Sequence, residues 1–402
     1  RKNYFYPDLP KGYQISQYDR PLGMAGYLEV LLPEGAKRVR IHRLHLEEDA
    51  GKLVHAGAAG LAGADYSLVD LNRAGVPLLE IVSEPDLRSA EEAKTYLQEL
   101  RLLLMVLGVN DGRMAEGSLR CDANVSIRPR GSTLLMTRTE IKNLNSFKFL
   151  QRALDYEIAR QIRLSQAGET IVQETRLWSE ERQVTYAMRS KEEASDYRYF
   201  PEPDLVPLAI APSEIATLRE SLPELPAARR QRYEQLGLSP QEGAIIAADL
   251  ALTAIFDQAV PGARNPKSIT RWLLGDVSAI MSEHKLALAA KPLFPEQLRC
   301  LADLVDSGEL TANAAKKILP QIMLAGKDPR TLIAELGLAA ISDEAALREL
   351  VTRVLANYPD QAAEYRSGKA KVLIFLVGQV MRESQGRATP ALVHRLLQEA
   401  LR

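Results

Sequence analysis

A strand-like run meets a cluster of three carboxylates in the sequence His45-Leu46-Glu47-Glu48-Asp49-Ala50-Gly51-Lys52. Residues 38–46 mix branched apolar side chains with charged ones, which predicts a β-strand that ends where the acids begin. Adjacent carboxylates raise one another's pKa, so clustering them costs free energy. A divalent cation would remove this cost, and oxygen-only ligands suit magnesium, which also bridges nucleotide phosphates. The alternative is a solvated acidic turn, because runs of charge usually lie at the surface.

The composition of the 402-residue chain is that of an ordinary globular protein, with 46% hydrophobic and 26% charged residues. This length predicts two or three domains. The net charge of -1 argues against a protein that coats nucleic acid by bulk charge, although local basic patches remain open. Cys121 and Cys300 alone cannot form a disulfide framework or a four-cysteine zinc site, which favours a reducing compartment. Since neither a transmembrane run nor a signal peptide is recognisable, we expect a cytoplasmic protein without membrane contact.

Aromatic residues, prolines and lysines are interleaved over residues 1–14. The prolines and a glycine exclude a regular helix and predict a shaped loop. With Lys2 and Lys11, such a loop can stack a base and hold phosphates. The alternative is that its tyrosines pack against the edge of a sheet. Residues 195–204 form a second aromatic, proline-bounded loop that is similar to the first in composition only.

The first half of the chain has the pattern of an antiparallel sheet protein, and the second half is helical. Alternation and bounding turns predict β-strands at residues 14–18, 27–32, 39–46, 52–55, 67–72, 76–82, 116–128, 137–145, 170–178 and 183–188. Apolar stripes predict helices from Ser89, with Glu92 completing a capping box, and from Ser146. From about residue 212 the pattern is helical to the end, with a second capping box at Ser239-Pro240-Gln241-Glu242.

Polar residues line one face of two neighbouring predicted strands. The run 116–128 presents Arg120, Asp122 and Asn124. The run 137–145 presents Glu140, Lys142 and Asn143. A cation, a carboxylate and an amide in a row can bind a phosphate–metal complex, so the two strands together predict a cradle-shaped polar surface. The alternative is ordinary cross-strand pairing on a solvated sheet face.

Taken together, these segments resemble the B subunit of the glutamyl-/aspartyl-tRNA amidotransferases, the heterotrimers often called GatCAB. The resemblance runs along the whole chain and rests on RKNYFYPDLPKGYQI (1–15), EEDAGK (47–52), DLNRAGVPLLEIV (70–82), GSLRCDANVS (117–126), EIKNLNS (140–146), DYRYFPEPD (196–204) and residues 368–381. It implies an α+β fold with a cradle-like, mainly antiparallel sheet domain (1–210), a helical domain (211–327) and a small helical YqeY-like tail (328–402).

The resemblance also implies a reaction. The chain would use ATP and Mg²⁺ to phosphorylate the side-chain carboxylate of Glu or Asp on a misacylated tRNA. Ammonia, released from glutamine by the glutaminase/amidase (A) subunit, would then displace the phosphate, and a small (C) subunit would complete the heterotrimer. A carboxylate is a poor acyl donor, and phosphorylation supplies the leaving group, with metal and cations stabilising the transferring phosphoryl group.

The motifs predict which residues form the site. Catalytic roles fall to Glu47, Glu48, Arg120 and Asp122, and the metal ligands are expected to be Glu47, Glu48 and Asp49. Cofactor-binding residues are expected to be Lys2, Lys11, Lys52, Asn124, Glu140, Lys142 and Asn143. The segment 361–402 has seven Lys or Arg against three acids, so the tail is expected to bind tRNA phosphates through Lys369, Lys371, Arg382 and Arg387.

One departure from the family pattern and two alternatives remain open. Family members carry an earlier Gly-Leu-Glu-Val-His strand that contributes a glutamate and a histidine to the metal site, so we expect this chain to hold only part of that site. His45 is beside the acidic run and could assist it; the alternative is a residue on the strand surface. The chain could instead be a non-catalytic tRNA-binding or assembly subunit, although such a role does not require a carboxylate cluster facing phosphates. Another ATP-dependent ligase is less favoured, since no GxxxxGK loop is present. The sequence leaves open whether Glu-tRNA or Asp-tRNA is preferred.

Overall fold

The chain forms two compact units, Arg1–Leu225 and Pro226–Arg402. The computed structural model describes residues 1–56, 66–190, 197–285, 295–341 and 343–401. The first unit holds the strands and the second is helical, which confirms the predicted α+β class. The domain boundaries proposed at residues 210 and 327 stay predictions.

The strands of the first unit form small sheets. They are β1 (Lys2–Asn3), β2 (Tyr13–Gln14), β3 (Gly23–Leu32), β4 (Gly35–Glu48), β5 (Lys52–Ala56), β6 (Tyr66–Asp70), β7 (Pro77–Ser83), β8 (Ala123–Val125), β9 (Thr139–Lys142), β10 (Glu174–Ser179) and β11 (Val184–Ser190). The sheets have the strand orders β1-β2, β3-β4-β7, β5-β6 and β11-β10-β9-β8. These ladders are antiparallel except for the parallel pair β9–β10, so the predicted, mainly antiparallel character is confirmed.

The three-stranded sheet positions the acidic run. Its central strand β4 pairs with β3 on one side and β7 on the other and ends at Glu48. The predicted end at Leu46 is two residues short, because β7 pairs with Glu47 and Glu48 as well. Val30 and Val39 of this sheet are fully buried and belong to one apolar cluster with Leu100 and Leu104. The acids therefore lie at the end of a strand that is anchored to the hydrophobic core at Val39.

The strand predicted over residues 116–128 is wrong for most of its length, since only Ala123–Val125 is a strand. Gly117 has a φ of 76°, and its N–H donates to the carbonyl of Met114 at 3.1 Å, so this part of the chain makes a tight turn. The pairing of β8 with β9 covers only Ala123 to Val125. Alternation of residue types thus extends beyond the segment that has a hydrogen-bonding partner.

The helices of the first unit are α1 (Ala90–Val106), α2 (Phe147–Gln166) and α3 (Pro212–Glu220). Ser89 caps α1 as predicted, because its Oγ accepts from the backbone N–H of Glu92 at 3.1 Å. The predicted capping box is incomplete. Glu92 Oε2 instead accepts from the backbone N–H of Arg88 and from Lys37 Nζ, both at 2.6 Å. Trp178 is buried where α1, α2 and the four-stranded sheet meet.

The second unit consists of helices around two apolar cores. They are α4 (Pro226–Gln235), α5 (Pro240–Ala248), α6 (Leu250–Ala259), α7 (Pro266–Trp272), a π-helical stretch (Leu273–Val277), α8 (Ser278–Glu283), α9 (Pro295–Asp306), α10 (Ala312–Ala325), α11 (Pro329–Leu336), α12 (Glu344–Asn357), α13 (Pro359–Arg366), α14 (Val372–Glu383) and α15 (Pro390–Leu401). One core extends from Tyr233 to Leu338 and the other from Leu347 to Leu401. The capping box at Ser239 is complete, as predicted. In the described residues, every helix is too short or too polar to cross a bilayer.

Candidate active site

Strand pairing brings His45, Glu47 and Glu80 together. Residues two apart on a strand face the same way, so His45 and Glu47 share one face of β4. Glu80 lies directly opposite His45 in the antiparallel register of β4 and β7. The ligand atoms of these three residues all lie within 4.8 Å of one another, and within the described ranges this is the one such group of His, Cys, Asp or Glu. We call it the His45–Glu47–Glu80 cluster.

The cluster is buried at its base and open at its edge. His45 Nε2 lies 3.2 Å from Glu47 Oε1 and 4.0 Å from Glu80 Oε2. The side chains of His45 and Glu47 are 0% and 6% exposed, whereas that of Glu80 is 42% exposed. The alternative in which His45 lies on the strand surface is therefore wrong, because the ring is enclosed and has an edge contact with Tyr18. Glu80 is therefore the member of the cluster that is exposed to solvent.

The charged form of Glu47 is stabilised despite its burial. Burial alone would raise the pKa of Glu47, but Lys2, the Ser16 hydroxyl and His45 together hold that pKa below its usual value. Lys2 Nζ lies 3.3 Å from Glu47 Oε2, and Ser16 Oγ donates to Oε1 at 2.8 Å. The site thus keeps a carboxylate ionised in an enclosed position, as metal ligation requires.

The three adjacent acids do not converge on one point. Glu48 accepts from Lys11 Nζ at 2.5 Å and from the backbone N–H of Ile15 at 2.8 Å. Asp49 accepts from Arg120 Nη2 at 2.6 Å. Of the three, only Glu47 belongs to the His45–Glu47–Glu80 cluster. Glu48 lies on the other face of the strand because side chains alternate, and Asp49 lies beyond the end of β4, where it pairs with Arg120.

The two aromatic loops meet over the cluster. Asn3 Nδ2 donates to the carbonyls of Tyr197 and Arg198 at 3.0 and 2.7 Å. Tyr199 stacks on Tyr18 with ring centroids 5.0 Å apart, and Tyr18 in turn contacts His45. Burial raises the pKa of the Tyr199 phenol, and the charge of Glu47 adds to the rise. The aromatic residues therefore form one wall of the site.

Comparison with known proteins identifies the family. A family model described as the GatB/GatE catalytic domain matches residues 1–216. A second, described as the GatB domain, matches residues 254–401. This chain belongs to the GatB family. Three curated relatives align with the whole chain and with 81–84% of their own length.

In Thermosynechococcus vestitus, the B subunit of the aspartyl/glutamyl-tRNA(Asn/Gln) amidotransferase is 52% identical over 407 aligned positions, which cover 100% of this chain and 81% of that protein. The proteins of the same name from Carboxydothermus hydrogenoformans and Persephonella marina are 49% and 46% identical, each over 100% of this chain. The alignments cover 83% and 84% of those two relatives.

In this GatB chain, the second polar row lies beside the aromatic wall. Lys142 Nζ lies 3.0 Å from Asp122 Oδ2. Burial lowers the pKa of Lys142, but the charges of Asp122, Glu140 and Tyr197 contribute to a net rise. Lys2 Nζ lies 5.0 Å from the Tyr197 ring centroid. Tyr197 therefore connects the Lys142 pair with the cation that faces Glu47.

Each of the remaining cofactor-binding candidates lies beside a different neighbour in the first unit. Asn143 Nδ2 donates to the carbonyl of Trp178 at 2.9 Å, which supports the fold around a φ of 67°. Asn124 and Glu140 lie opposite each other between β8 and β9. Glu140 Oε2 accepts from Thr175 Oγ1 at 3.0 Å. Lys52 begins β5, opposite Asp70 in β6.

The four tail candidates lie near helix ends, as predicted. Lys369 precedes α14 and pairs with Glu364 at 3.2 Å, and Lys371 is the residue before the helix begins. Arg382 lies in the last turn of α14. Arg387 is different, because its guanidinium donates to the carbonyls of Ser384 and Gly337. It holds the turn after α14 as well as contributing charge.

Sequence reasoning missed several residues of the site. Glu80 is within a predicted strand, but its partner register is not readable because β5 and β6 intervene between β4 and β7. Tyr18 was expected in a strand over residues 14–18, of which only Gln14 lies in one. Tyr199 had no signal beyond its aromatic composition, and its stacking on Tyr18 depends on tertiary structure. Arg73, which lies near Asp49, was not singled out.

Proposed function

We propose that this chain is the subunit that activates the tRNA-bound carboxylate in a glutamine-dependent tRNA amidotransferase. The substrate is Glu or Asp attached to a tRNA for Gln or Asn, and the phosphoryl donor is ATP. The proposal is supported by membership of the GatB family and by the names of relatives that match the whole chain. One structural observation carries it: the buried, ionised Glu47 grouped with His45 and Glu80.

The proposed reaction has two steps. A carboxylate oxygen of the tRNA-bound amino acid attacks the γ-phosphorus of ATP, the bond between that phosphorus and the β,γ-bridging oxygen breaks, and ADP leaves. The nitrogen of ammonia then attacks the acyl carbon, inorganic phosphate leaves with the former carboxylate oxygen, and the nitrogen loses a proton. Phosphorylation is needed because it converts a poor leaving group into phosphate.

The residues of the cluster fit a divalent cation. Glu47 and Glu80 provide two carboxylates, and His45 Nε2 faces both. Magnesium prefers oxygen ligands and retains waters, and the carboxylates of Glu47 and Glu80 also suit Mn²⁺, so both ions are expected to support activity. When bound, such an ion would neutralise charge on the phosphates of ATP. Glu48 and Asp49, which each hold a cation of the chain, are proposed to support this site from beside it.

Cationic and aromatic residues are proposed to orient the nucleotide and the acceptor. Lys2 and Lys142 face carboxylates across Tyr197, and Lys11 is 40% exposed beside Glu48. Stacked Tyr18 and Tyr199 supply an apolar wall against which a planar or aliphatic group can pack. We place the remaining predicted residues, Lys52, Asn124, Glu140 and Asn143, at the periphery of this surface.

The proposed partners are a glutaminase/amidase protein and a small third protein, which complete a heterotrimer with this chain. Ammonia would pass from the glutaminase to the site on this chain. The tail would bind the phosphate backbone of tRNA through Lys369, Lys371 and Arg382. The complex is proposed to act in the cytoplasm.

The test is tRNA-dependent ATP hydrolysis by the heterotrimer. ADP should form only when Glu-tRNA or Asp-tRNA is present, and amide should accumulate when glutamine is added. Glu47→Gln should abolish both while the glutaminase activity of the partner protein is preserved. If Glu47→Gln retains normal ADP and amide formation, the alternative of a non-catalytic tRNA-binding or assembly role is favoured.

A further inference from the structure

Two arginines share one buried carboxylate at the end of the acidic run. Asp49 is 9% exposed, and its Oδ2 lies 2.6 Å from Arg120 Nη2 and 3.8 Å from Arg73 Nε. The side chains of Arg120 and Arg73 are 49% and 39% exposed. One negative charge thus holds two positive ones, and both guanidinium groups remain open to solvent.

The turn that carries Arg73 is fixed to Asp49 by the backbone. Asp49 N–H donates to the carbonyl of Val76 at 2.8 Å, and the N–H of Gly75 donates to the carbonyl of Asp49 at 2.9 Å. The N–H of Val76 closes the turn on the carbonyl of Arg73 at 3.0 Å. Arg73 is therefore positioned by a hydrogen-bonded turn rather than by its own side-chain contacts alone.

A second segment fixes the guanidinium itself. Arg73 Nη1 donates to the carbonyl of Gly117 at 3.2 Å. A Cβ at Gly117 would lie 2.7 Å from this nitrogen, and the φ of 76° favours glycine there. Arg120 lies in the same segment as Gly117 and donates to the carboxylate of Asp49. Two chain segments thus deliver their arginines to a common point.

We propose that Arg73 and Arg120 form a phosphate clamp that Asp49 holds in place, so that Asp49 is a positioning residue and not a metal ligand. The clamp carries an excess positive charge, and guanidinium groups bind phosphate oxygens through paired N–H donors. Asp49 follows Glu47 by two residues, and two residues of extended chain span about 7 Å. A polyphosphate that reaches the His45–Glu47–Glu80 cluster therefore extends to the clamp. The inference rests on the proposed function for the nature of the ligand.

The bound phosphate has two sources with the same chemistry, the polyphosphate of ATP and the backbone near the acceptor end of tRNA. The experiment measures ATP binding with magnesium by calorimetry, and then tRNA-dependent ADP formation at varied ATP, tRNA and salt concentrations. The variants are Arg73→Ala, Arg73→Lys, Arg120→Ala and Asp49→Asn in the assembled complex. Arg38→Ala is the matched control, since Arg38 is an exposed arginine of β4 that pairs with Glu29 at 3.0 Å.

The clamp predicts that Arg73→Ala and Arg120→Ala each lower the rate of ADP formation by about 100-fold, as loss of one donor to a transition-state oxyanion does. Asp49→Asn should lower it by about tenfold, as loss of a supporting group does. Arg73→Lys keeps the charge but loses the planar fork, so its rate should lie between Arg73→Ala and wild type. Methylguanidinium in the buffer should restore part of the activity of Arg73→Ala, which a merely structural role does not predict.

The two sources give different signatures. An ATP phosphate predicts weaker calorimetric binding of ATP in the alanine variants and a raised KM for ATP. A tRNA phosphate predicts unchanged ATP binding, a raised KM for tRNA and a salt slope reduced by about one. The clamp is refuted if both alanine variants match Arg38→Ala in ATP binding, tRNA dependence and salt slope, or if their loss follows unfolding and no guanidinium rescue occurs.

Failure of the proposed function has a signature of its own. If wild type itself forms no tRNA-dependent ADP, the proposed function fails, and direct binding of ATP and of tRNA then decides the clamp. Weaker binding of ATP, or weaker tRNA binding with a reduced salt slope, in the Arg73→Ala and Arg120→Ala variants upholds the clamp in that case. Binding of both ligands equal to that of Arg38→Ala refutes it.

Discussion

Glu80 faces His45 across the β4–β7 ladder, and its Oε2 lies 4.0 Å from the imidazole Nε2. This relationship brings a carboxylate from a sequentially distant strand to the acidic run. It adds a third potential metal ligand, which is exposed to solvent, to the buried side chains of His45 and Glu47. The register of β4 and β7 therefore forms the cluster. Its exposed member, Glu80, can be substituted without disturbing the hydrophobic core.

Replacing Glu80 by glutamine is expected to lower tRNA-dependent ADP formation by about 10- to 100-fold, because a metal site loses one charged donor. The same substitution should raise the concentration of Mg²⁺ or Mn²⁺ that is needed for the half-maximal rate. Glu84→Gln is the matched control, since Glu84 pairs with His42 at 2.8 Å outside the cluster. A Glu80→Gln enzyme with the rate and metal dependence of the Glu84→Gln enzyme would place the metal elsewhere.

Glu157 is expected to dominate the stability of the four-stranded sheet region. It is fully buried on α2 and accepts from Thr139 Oγ1 at 2.9 Å and from the Arg160 guanidinium at 2.6 and 2.8 Å. Glu157→Ala leaves these donors unpaired and should lower the free energy of unfolding by about 3–5 kcal/mol.

Unfolding of the first unit can be followed by Trp178 fluorescence in a Trp272→Phe background, because the chain has only these two tryptophans, one in each unit. Glu181→Ala, at an exposed position of the same unit, is the control. Equal denaturant midpoints for Glu157→Ala and Glu181→Ala would show that the buried network contributes little.

The Asp86–Arg40 pair is expected to stabilise the folded state by an amount that decreases at acid pH. Hydrogen bonds from Arg40 lower the pKa of Asp86 from 3.8 to about 2. The folded state thus favours the ionised form, so the contribution is present above the ordinary pKa and is lost as the pH falls through about 2. The difference in unfolding free energy between wild type and Asp86→Asn should shrink between about pH 5 and about pH 2. A difference that stays constant over this range would contradict the assignment.

The tail is expected to bind tRNA phosphates through Lys369, Lys371 and Arg382. Removing one phosphate-binding cation reduces the slope of log affinity against log salt by about one, so the triple alanine variant should show a slope reduced by up to about three. Arg348→Ala is the control, since Glu344 and Glu399 balance this arginine at 2.8 and 2.7 Å. An unchanged slope in the triple variant would exclude these residues from the interface. Arg387→Ala should instead destabilise the turn that it holds.

The fold was largely predictable because each element carries its own local signal. Ser89, Ser146 and Ser239 each cap the helix that the sequence predicts. The branched apolar residues of β4 predicted a strand, but the change to acidic residues placed its end two residues early, because β7 pairs with Glu47 and Glu48 as well. The prediction over residues 116–128 failed because alternation reports the character of two faces and not the presence of a hydrogen-bonding neighbour.

The site was less predictable because it depends on residues that are distant in sequence. Glu47 and Lys2 were both expected to contribute, and they lie together at 3.3 Å. The pairing of Glu48 with Lys11 and of Asp49 with Arg120 gives each neighbouring acid a partner of its own. The third member of the cluster, Glu80, depends on a register that the intervening hairpin hides.

The most direct test of the proposed activation step is to trap the acyl phosphate. The assembled complex is supplied with Glu-tRNA, ATP and magnesium without glutamine or ammonia, and hydroxylamine is added as the nucleophile. The proposal predicts one ADP for each hydroxamate formed at the side-chain carboxyl of the tRNA-bound Glu, and loss of both products in Glu47→Gln while the Arg38→Ala control keeps them. Formation of amide from added ammonia at the normal rate in Glu47→Gln, or wild-type amide formation without ADP, would contradict the claim that this chain phosphorylates the carboxylate.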